Sequence, residues 1–248
     1  VGCEYSGTTT LAWEFYKWTK ETIGEGRGFH DHWKVPHLSH PGMDSAEALE
    51  EATQAWSEGK GPDPTTTGFS DKEQEDLLAL TPYTLEMFQR YHMDYHVSTD
   101  FYSYHQHSMI GMHIDEAVYA GLYYGYGGDG EYADRKVMAP HIEQRMLAQA
   151  PDTVLILCQA PPDVIRSRMK ENPKKHGIVK EKDVDLVIQR FEEEYERSLI
   201  KNKFTVDTGT KTPSESLADF VDKYEPYITD ADRIKMLVHK AKKKGDWT

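Results

Sequence analysis

The stretch Gly2-Cys3-Glu4-Tyr5-Ser6-Gly7-Thr8-Thr9 opens the chain and stands directly before an amphipathic segment. Its spacing is that of a phosphate-binding loop: a glycine, four residues, a second glycine, one further residue and a threonine, with Thr8 in place of the usual lysine. Gly2 and Gly7 can take positive φ, which turns backbone N–H groups inward toward an oxyanion. The spacing therefore predicts a phosphate-binding site formed by Gly2, Ser6, Gly7, Thr8, Thr9 and Thr10.

The segment after the loop is predicted to be a helix. Leu11, Ala12, Phe15 and Trp18 recur at helical spacing, and Gly24-Glu25-Gly26 ends the pattern. A helix in this place adds unsatisfied N–H groups and the positive end of its dipole to the loop. The alternative is an ordinary turn rich in glycine, serine and threonine. Since a phosphate-binding loop follows a buried strand and only Val1 precedes Gly2, we also expect about five to ten further residues upstream in the natural protein.

Composition limits the class of protein. The chain has 248 residues, of which 38% are hydrophobic and 11% aromatic, enough for one large domain with a core. No run approaches the roughly 18 apolar residues of a membrane span. The net charge of −13 argues against general nucleic-acid binding. Two cysteines, Cys3 and Cys158, predict no disulfide framework and hence a reducing intracellular compartment.

The second half of the chain alternates between strand and helix patterns. Apolar runs at 108–113, 153–158 and 203–207 predict strands, and segments 133–150, 161–170, 183–200 and 212–224 predict helices. Thr212-Pro213-Ser214-Glu215 has the pattern of a capping box. This order predicts an α/β fold with a mostly parallel sheet flanked by helices, and ligands at the carboxyl ends of the strands.

The chain is predicted to form one domain over 1–248 with three added segments. Residues 44–107 have helical patterns interrupted by loops and predict a helical insertion. Residues 166–182 form a basic, lid-like segment, and residues 229–248 form a basic C-terminal tail, most simply a solvated helix with a frayed end.

The loop and residues 108–225 together resemble the P-loop nucleoside and nucleotide kinases. Thr153–Lys170 is similar to the strand and helix that lead into the lid of these kinases. Phe204–Thr208, followed by the capping box, is similar to their last strand and helix. The resemblance implies binding of ATP and Mg²⁺ and transfer of phosphate to a small acceptor. Among partners, the alternatives left open are a second copy of the chain in a homodimer and the other subunits of a larger assembly.

The resemblance also implies roles for individual residues. Asp31 would be the strand-end acid near the reacting oxygen and the general base, and Thr9, Asp115 and Glu116 would face Mg²⁺. Arg166, Arg168, Lys174 and Lys175 would belong to the lid. Two departures stand out. Thr8 replaces the loop lysine. Arginines expected near the acids are also missing, since no Asp-Arg pair follows Asp31 and no arginine stands beside Glu116 in the sequence.

Phosphoryl transfer needs charge neutralisation, a metal ion, alignment and a base. Arg166 or Arg168 can replace the missing lysine if a closed lid brings it over the loop, since guanidinium groups suit phosphate oxygens. The alternative for 166–182 is a solvated helix face. Asp31, Asp115 and Glu116 follow short apolar or aromatic runs, so we expect them to converge near the loop.

Two His-x-His pairs, His30/His32 and His105/His107, allow a metal site, because alternate residues of a strand share one face. The alternative is polar histidines in a pocket or at the surface.

Two other functions remain open. A sulfotransferase also holds its donor with a loop similar to Ser6-Gly7-Thr8-Thr9, and Pro162-Asp163-Val164 with Ser167 resembles its 3′-phosphate segment, although the expected basic residues are missing. A kinase-like domain without its lysine can also serve as a non-catalytic structural or nucleotide-sensing subunit of a larger complex.

Overall fold

The computed structural model describes residues 1–27, 29–31, 71–102 and 108–245. Four strands are present in these ranges: β1 (Phe29–Asp31), β2 (Ser108–Ile110), β3 (Val154–Gln159) and β4 (Asn202–Asp207). The α-helices are α1 (Thr8–Thr22), α2 (Asp71–Leu78), α3 (Pro82–Tyr95), α4 (Thr99–Tyr102), α5 (His113–Tyr119), α6 (Arg135–Gln149), α7 (Pro162–Glu171), α8 (Val184–Arg197), α9 (Pro213–Tyr224) and α10 (Asp230–Lys244). A π-helical turn, Ala120–Tyr124, continues α5.

The described strands form two parallel pairs. β1 pairs with β2, with Asp31 opposite Ile110, and β3 pairs with β4 over six residues from Val154–Asn202 to Gln159–Asp207. Val1 also pairs with β3: its amino group donates to the Ile156 carbonyl at 2.8 Å, and the Cys158 N–H donates to the Val1 carbonyl at 2.9 Å. This is the pattern of a residue in a parallel strand. The prediction of a mixed α/β fold with parallel strands is therefore confirmed.

Helices cover both faces of the β3–β4 pair. Leu155 and Leu157 of β3 point into the larger core cluster with residues of α5, α6 and α8, whereas Cys158 packs in a second cluster with Leu11 of α1 and Phe220 of α9. This alternation follows from the two-residue period of a strand. β3 therefore lies between two layers of helices. Val1, which pairs with β3, leads directly into the loop.

The strand predicted at 108–113 is shorter in the structure. β2 ends at Ile110, since Gly111 and Met112 both take positive φ (82° and 68°), and α5 begins at His113. Asp115 and Glu116 accordingly lie in the first turn of a helix instead of following a strand directly.

The C-terminal tail is a packed helix. α10 spans 15 residues; its buried Asp232 pairs with the buried guanidinium of Arg27, and Lys235 pairs with Glu25 at 2.5 Å. Arg27 and Glu25 both follow the end of α1, so this helix is held against the body. Its last turn carries Lys242, Lys243 and Lys244.

Of the predicted insertion, α2, α3 and α4 lie in the described ranges, and 44–70 lies outside them. None of the helices in the described ranges is both long enough and apolar enough to cross a membrane.

Candidate functional site

The glycine loop leads directly into α1. Gly7 takes a left-handed conformation (φ 94°, ψ 15°), and the Leu11 N–H donates to the Gly7 carbonyl at 2.9 Å, the first hydrogen bond of the helix. The N–H groups of Thr8, Thr9 and Thr10 precede that bond, and within the described residues no side chain or carbonyl accepts from them. Three backbone donors and the positive dipole end of a 15-residue helix are thus open to an anion.

The first glycine of the loop is required by close packing. A Cβ atom at Gly2 would lie 2.6 Å from the Ser6 hydroxyl oxygen and 2.7 Å from the Cys158 carbonyl oxygen. The Ser6 hydroxyl is itself buried, with no hydrogen-bond partner among the described residues. It is a buried polar group enclosed by the loop, close to where a Cβ atom at Gly2 would lie.

Arg168 and Thr208 hold the loop from outside. The Arg168 guanidinium donates to the Tyr5 carbonyl at 3.0 Å and to the Thr208 carbonyl at 2.7 Å. The Thr208 hydroxyl donates to the Ser6 carbonyl. Since the loop carbonyls are engaged by these donors, the loop is fixed before any ligand arrives, and a guanidinium charge lies against it.

Glu4 joins the loop to the lid-like segment. Its buried carboxylate accepts from the backbone N–H groups of Ile178 at 3.0 Å and Val179 at 3.1 Å, and its other oxygen lies 3.7 Å from the Lys174 ammonium. The Lys174 backbone N–H donates to the Tyr5 hydroxyl at 2.8 Å. Residues 174–179 are thus docked on the loop.

Asp115 lies within electrostatic reach of the loop. Burial raises the pKa of the Cys3 thiol, and the carboxylates of Glu4 and Asp115 raise it further, while Lys174 lowers it. One helical turn after Asp115, the Tyr119 hydroxyl accepts from the Glu4 backbone N–H at 3.0 Å. The first two turns of α5 therefore pack against the loop.

Glu116 belongs to a different, buried network. Its carboxylate accepts from Arg135 Nε at 2.9 Å and from the Tyr126 hydroxyl at 3.0 Å, and Arg135 also donates to Glu86 at 3.1 Å. Burial raises the pKa of Glu116, and the Arg135 charge opposes that rise. An arginine does lie beside Glu116, but it comes from α6.

The two predicted lid arginines are placed differently. Arg166 pairs with Asp185 of α8, and its Nε donates to the Glu181 carbonyl at 3.4 Å, so its contacts are with the lid-like segment and α8. Arg168 contacts the loop. Lys175 lies 3.6 Å from Glu75 of α2.

The remaining predicted residues are placed in part. Asp31 ends β1 beside Ile110 in the backbone, but its side chain lies outside the described part of the structure, as does that of His30. His32, His105 and His107 also fall outside it. Within the described residues, no group of three or more histidine, cysteine, aspartate or glutamate side chains can hold a metal ion.

A cavity of about 370 Å³ separates the two strand pairs. It is lined by Val1, by β2, by one side of β3 and by the apolar residues Leu11 and Phe15 of α1. The lining also includes Thr8 of the loop and the polar residues Gln149, Asp152 and Thr229, so the cavity reaches from the strand edges to the start of α1.

The sequence did not indicate three groups at the loop. Glu4 was part of the motif without a role, Tyr119 was one of many tyrosines, and Thr208 followed the last strand. Thr208 alone had a usable signal, since it directly follows a strand at its carboxyl end. Comparison with models of known protein families and with curated proteins gave no match.

Proposed function

We propose that this chain is a P-loop kinase-like protein that binds ATP at the loop and transfers its terminal phosphate to a small acceptor. The observation that supports this most is the set of free N–H groups of Thr8, Thr9 and Thr10 at the start of α1, behind a glycine loop that is already held in place. An open helix N-terminus after such a loop suits the phosphates of a nucleotide.

The arrangement of strands supports the same fold. β1–β2 and β3–β4 are parallel, Val1 adds a strand-like position beside β3, and helices cover both faces of β3–β4. A loop that leaves a parallel sheet at the carboxyl end of a strand and enters a helix is the setting in which phosphate-binding loops act.

Under this proposal Arg168 is a positioning residue and a source of charge. Its guanidinium fixes the Tyr5 and Thr208 carbonyls and lies 3.8 Å from where a Cβ atom on Gly7 would be. The missing lysine charge is thereby replaced in part, from the outer side of the loop.

A hydroxyl and a carboxylate, the kinds of oxygen ligand that Mg²⁺ takes, belong to residues at or near the loop. Thr9 and Asp115 would hold the ion together with phosphate oxygens and water, since Mg²⁺ sites in such proteins use one or two carboxylates. The ion would neutralise charge on the phosphates. Asp31 remains our proposed general base.

A second candidate function is a non-catalytic nucleotide sensor or structural subunit. Two observations favour it: Thr8 stands where the lysine bridges the outer phosphates, and the Glu116 carboxylate is engaged by Arg135 and Tyr126.

A ligand panel separates these functions. Thermal unfolding should be followed with Mg-ATP, Mg-GTP, adenosine 3′,5′-bisphosphate and nucleosides, because ligands that bind the folded state raise its unfolding temperature by mass action. ADP release should then be measured with each nucleoside as acceptor. Stabilisation by Mg-ATP with ADP release supports the kinase, stabilisation without release supports the sensor, and stabilisation by the bisphosphate alone supports a sulfotransferase. No stabilisation by any ligand would contradict the kinase, the sensor and the sulfotransferase, and would favour the structural subunit.

A further inference from the structure

Helix α3 carries a row of exposed tyrosine and methionine side chains. Tyr83, Met87, Tyr91 and Tyr95 follow one another at intervals of four residues and are 60%, 48%, 63% and 37% exposed. Tyr132 stacks on Tyr83 with ring centroids 5.4 Å apart and is 52% exposed. We call these five side chains the α3 stripe. Tyrosine and methionine are enriched at protein interfaces relative to other surfaces.

The helix under the stripe is firmly anchored. Its opposite face buries Leu85, Glu86 and Met93, and Glu86 accepts from Arg135 at 3.1 Å and from the Tyr132 hydroxyl at 3.2 Å. The stripe is therefore displayed on a fixed surface, which lowers the entropic cost of binding a partner.

We propose that the α3 stripe is the two-fold interface of a homodimer. A spacing of four residues is the same in both directions, so an antiparallel second copy brings Tyr83 opposite Tyr95 of the partner subunit and Met87 opposite Tyr91 of the partner subunit. A two-fold interface uses the same surface on both copies, and this stripe is complementary to itself.

The exposed area suits this partner. With about 200 Å² for a whole side chain of this size, the stripe offers about 500 Å² of largely apolar surface. A stable interface buries about 800 Å² on each partner, of which somewhat more than half is apolar. The stripe therefore supplies the apolar centre of one dimer interface.

The charge of this face also favours a second copy. The whole chain carries a net charge of −13, so most of its surfaces would repel an identical chain. The exposed residues of α3 include one base, Arg90, and one acid, Asp94, and each is paired within its own chain, with Glu86 and Arg145 respectively. Two copies can meet here without net repulsion.

The test is the molar mass of the full chain in solution. Wild type, Tyr91→Glu and Ile234→Glu should be compared by sedimentation equilibrium at about 50 µM, well above the micromolar dissociation constants of weaker interfaces of this size. Ile234 is a matched control, an exposed apolar residue on α10. We expect twice the chain mass for wild type and Ile234→Glu, and the chain mass for Tyr91→Glu with an unchanged circular dichroism spectrum.

A disulfide trap gives the geometry. The double variant Met87→Cys/Tyr91→Cys should form a disulfide-linked dimer under mild oxidation. The native Cys3 and Cys158 are buried and should not compete. The control Ile234→Cys should not form a linked dimer. A monomeric wild type, dissociation by Ile234→Glu instead of Tyr91→Glu, or absence of the trapped dimer would each overturn the proposal.

Discussion

Arg168 shows how a single side chain can fix the glycine loop from outside. Its guanidinium donates to two backbone carbonyls, Tyr5 on the loop and Thr208 after β4. Arg166, two residues earlier, faces the opposite side of α7 and pairs with Asp185. The sequence offered both as replacements for the loop lysine, and the contacts favour Arg168 as the residue that sets the loop.

Replacing Arg168 by alanine should therefore weaken nucleotide binding. The two carbonyls lose a charged donor, which costs about 2 kcal/mol of folding free energy, and the loop is no longer held in one conformation. We expect at least a tenfold higher dissociation constant for Mg-ATP by calorimetry, with partial recovery in Arg168→Lys. Arg166→Ala is the matched control and should bind like wild type; equal losses in both variants would contradict this role.

Glu143 should make stability depend on pH in the acid range. Burial alone would raise its pKa, but hydrogen bonds from His113 at 3.0 Å and from Ser198 at 2.6 Å, with that from the Leu199 N–H at 2.6 Å, hold it below its ordinary value of 4.5. A lowered pKa means that this stabilisation is complete above the ordinary pKa and is lost as the pH falls through the native value.

The measurement is urea unfolding from pH 3 to pH 7. Glu143→Gln should lower the free energy of unfolding by about 2 kcal/mol at pH 7, because buried donors lose their charged acceptor. It should also make the fall in stability below pH 4.5 shallower than in wild type. Glu21→Gln, an exposed control, should leave the curve unchanged. If Glu143→Gln instead lowers the free energy of unfolding by the same amount at every pH, Glu143 does not cause the loss of stability in acid.

At the scale of elements, regular patterns predicted well and backbone exceptions did not. β3, α8 and α9 lie close to their predicted limits. In each of them the spacing of apolar residues indicated the correct element, and for α9 the capping box of Thr212 and Glu215 also marked its start. β2 is shorter than predicted because Met112, a residue that rarely takes positive φ, does so here. The tail is a docked helix because buried Asp232 meets Arg27, a pairing across 205 residues.

The lid-like segment should depend on the loop for its position. Glu4→Ala removes the acceptor of the Ile178 and Val179 N–H groups, so these amides should exchange hydrogen with solvent at least tenfold faster, in the absence of any nucleotide. Glu14→Ala, at a half-buried residue of α1 that pairs with Lys17, is the control. Unchanged exchange at both amides would show that the segment is held by other contacts.

At the scale of the whole molecule, the loop before α1 was predictable and the contacts that support it were not. Glycine spacing followed by an amphipathic helix located the loop. Its supports come from Tyr119, Arg168, Thr208 and the lid-like segment, which are more than 100 residues away in sequence. Such contacts depend on the packing of α5, α7 and β4 around β3, and no local pattern encodes them.

The central claim is that the loop binds nucleotide phosphate through the free N–H groups at the start of α1. Its most direct test is calorimetric titration of Mg-ATP into wild type, Gly7→Ala and Gly130→Ala. Both glycines take positive φ (94° and 72°), so both variants carry a similar backbone strain of about 1 to 2 kcal/mol, but only Gly7 lies at the loop. We predict binding by wild type and Gly130→Ala, and at least tenfold weaker binding by Gly7→Ala. No binding by wild type, or equal affinity in all three proteins, would contradict the claim.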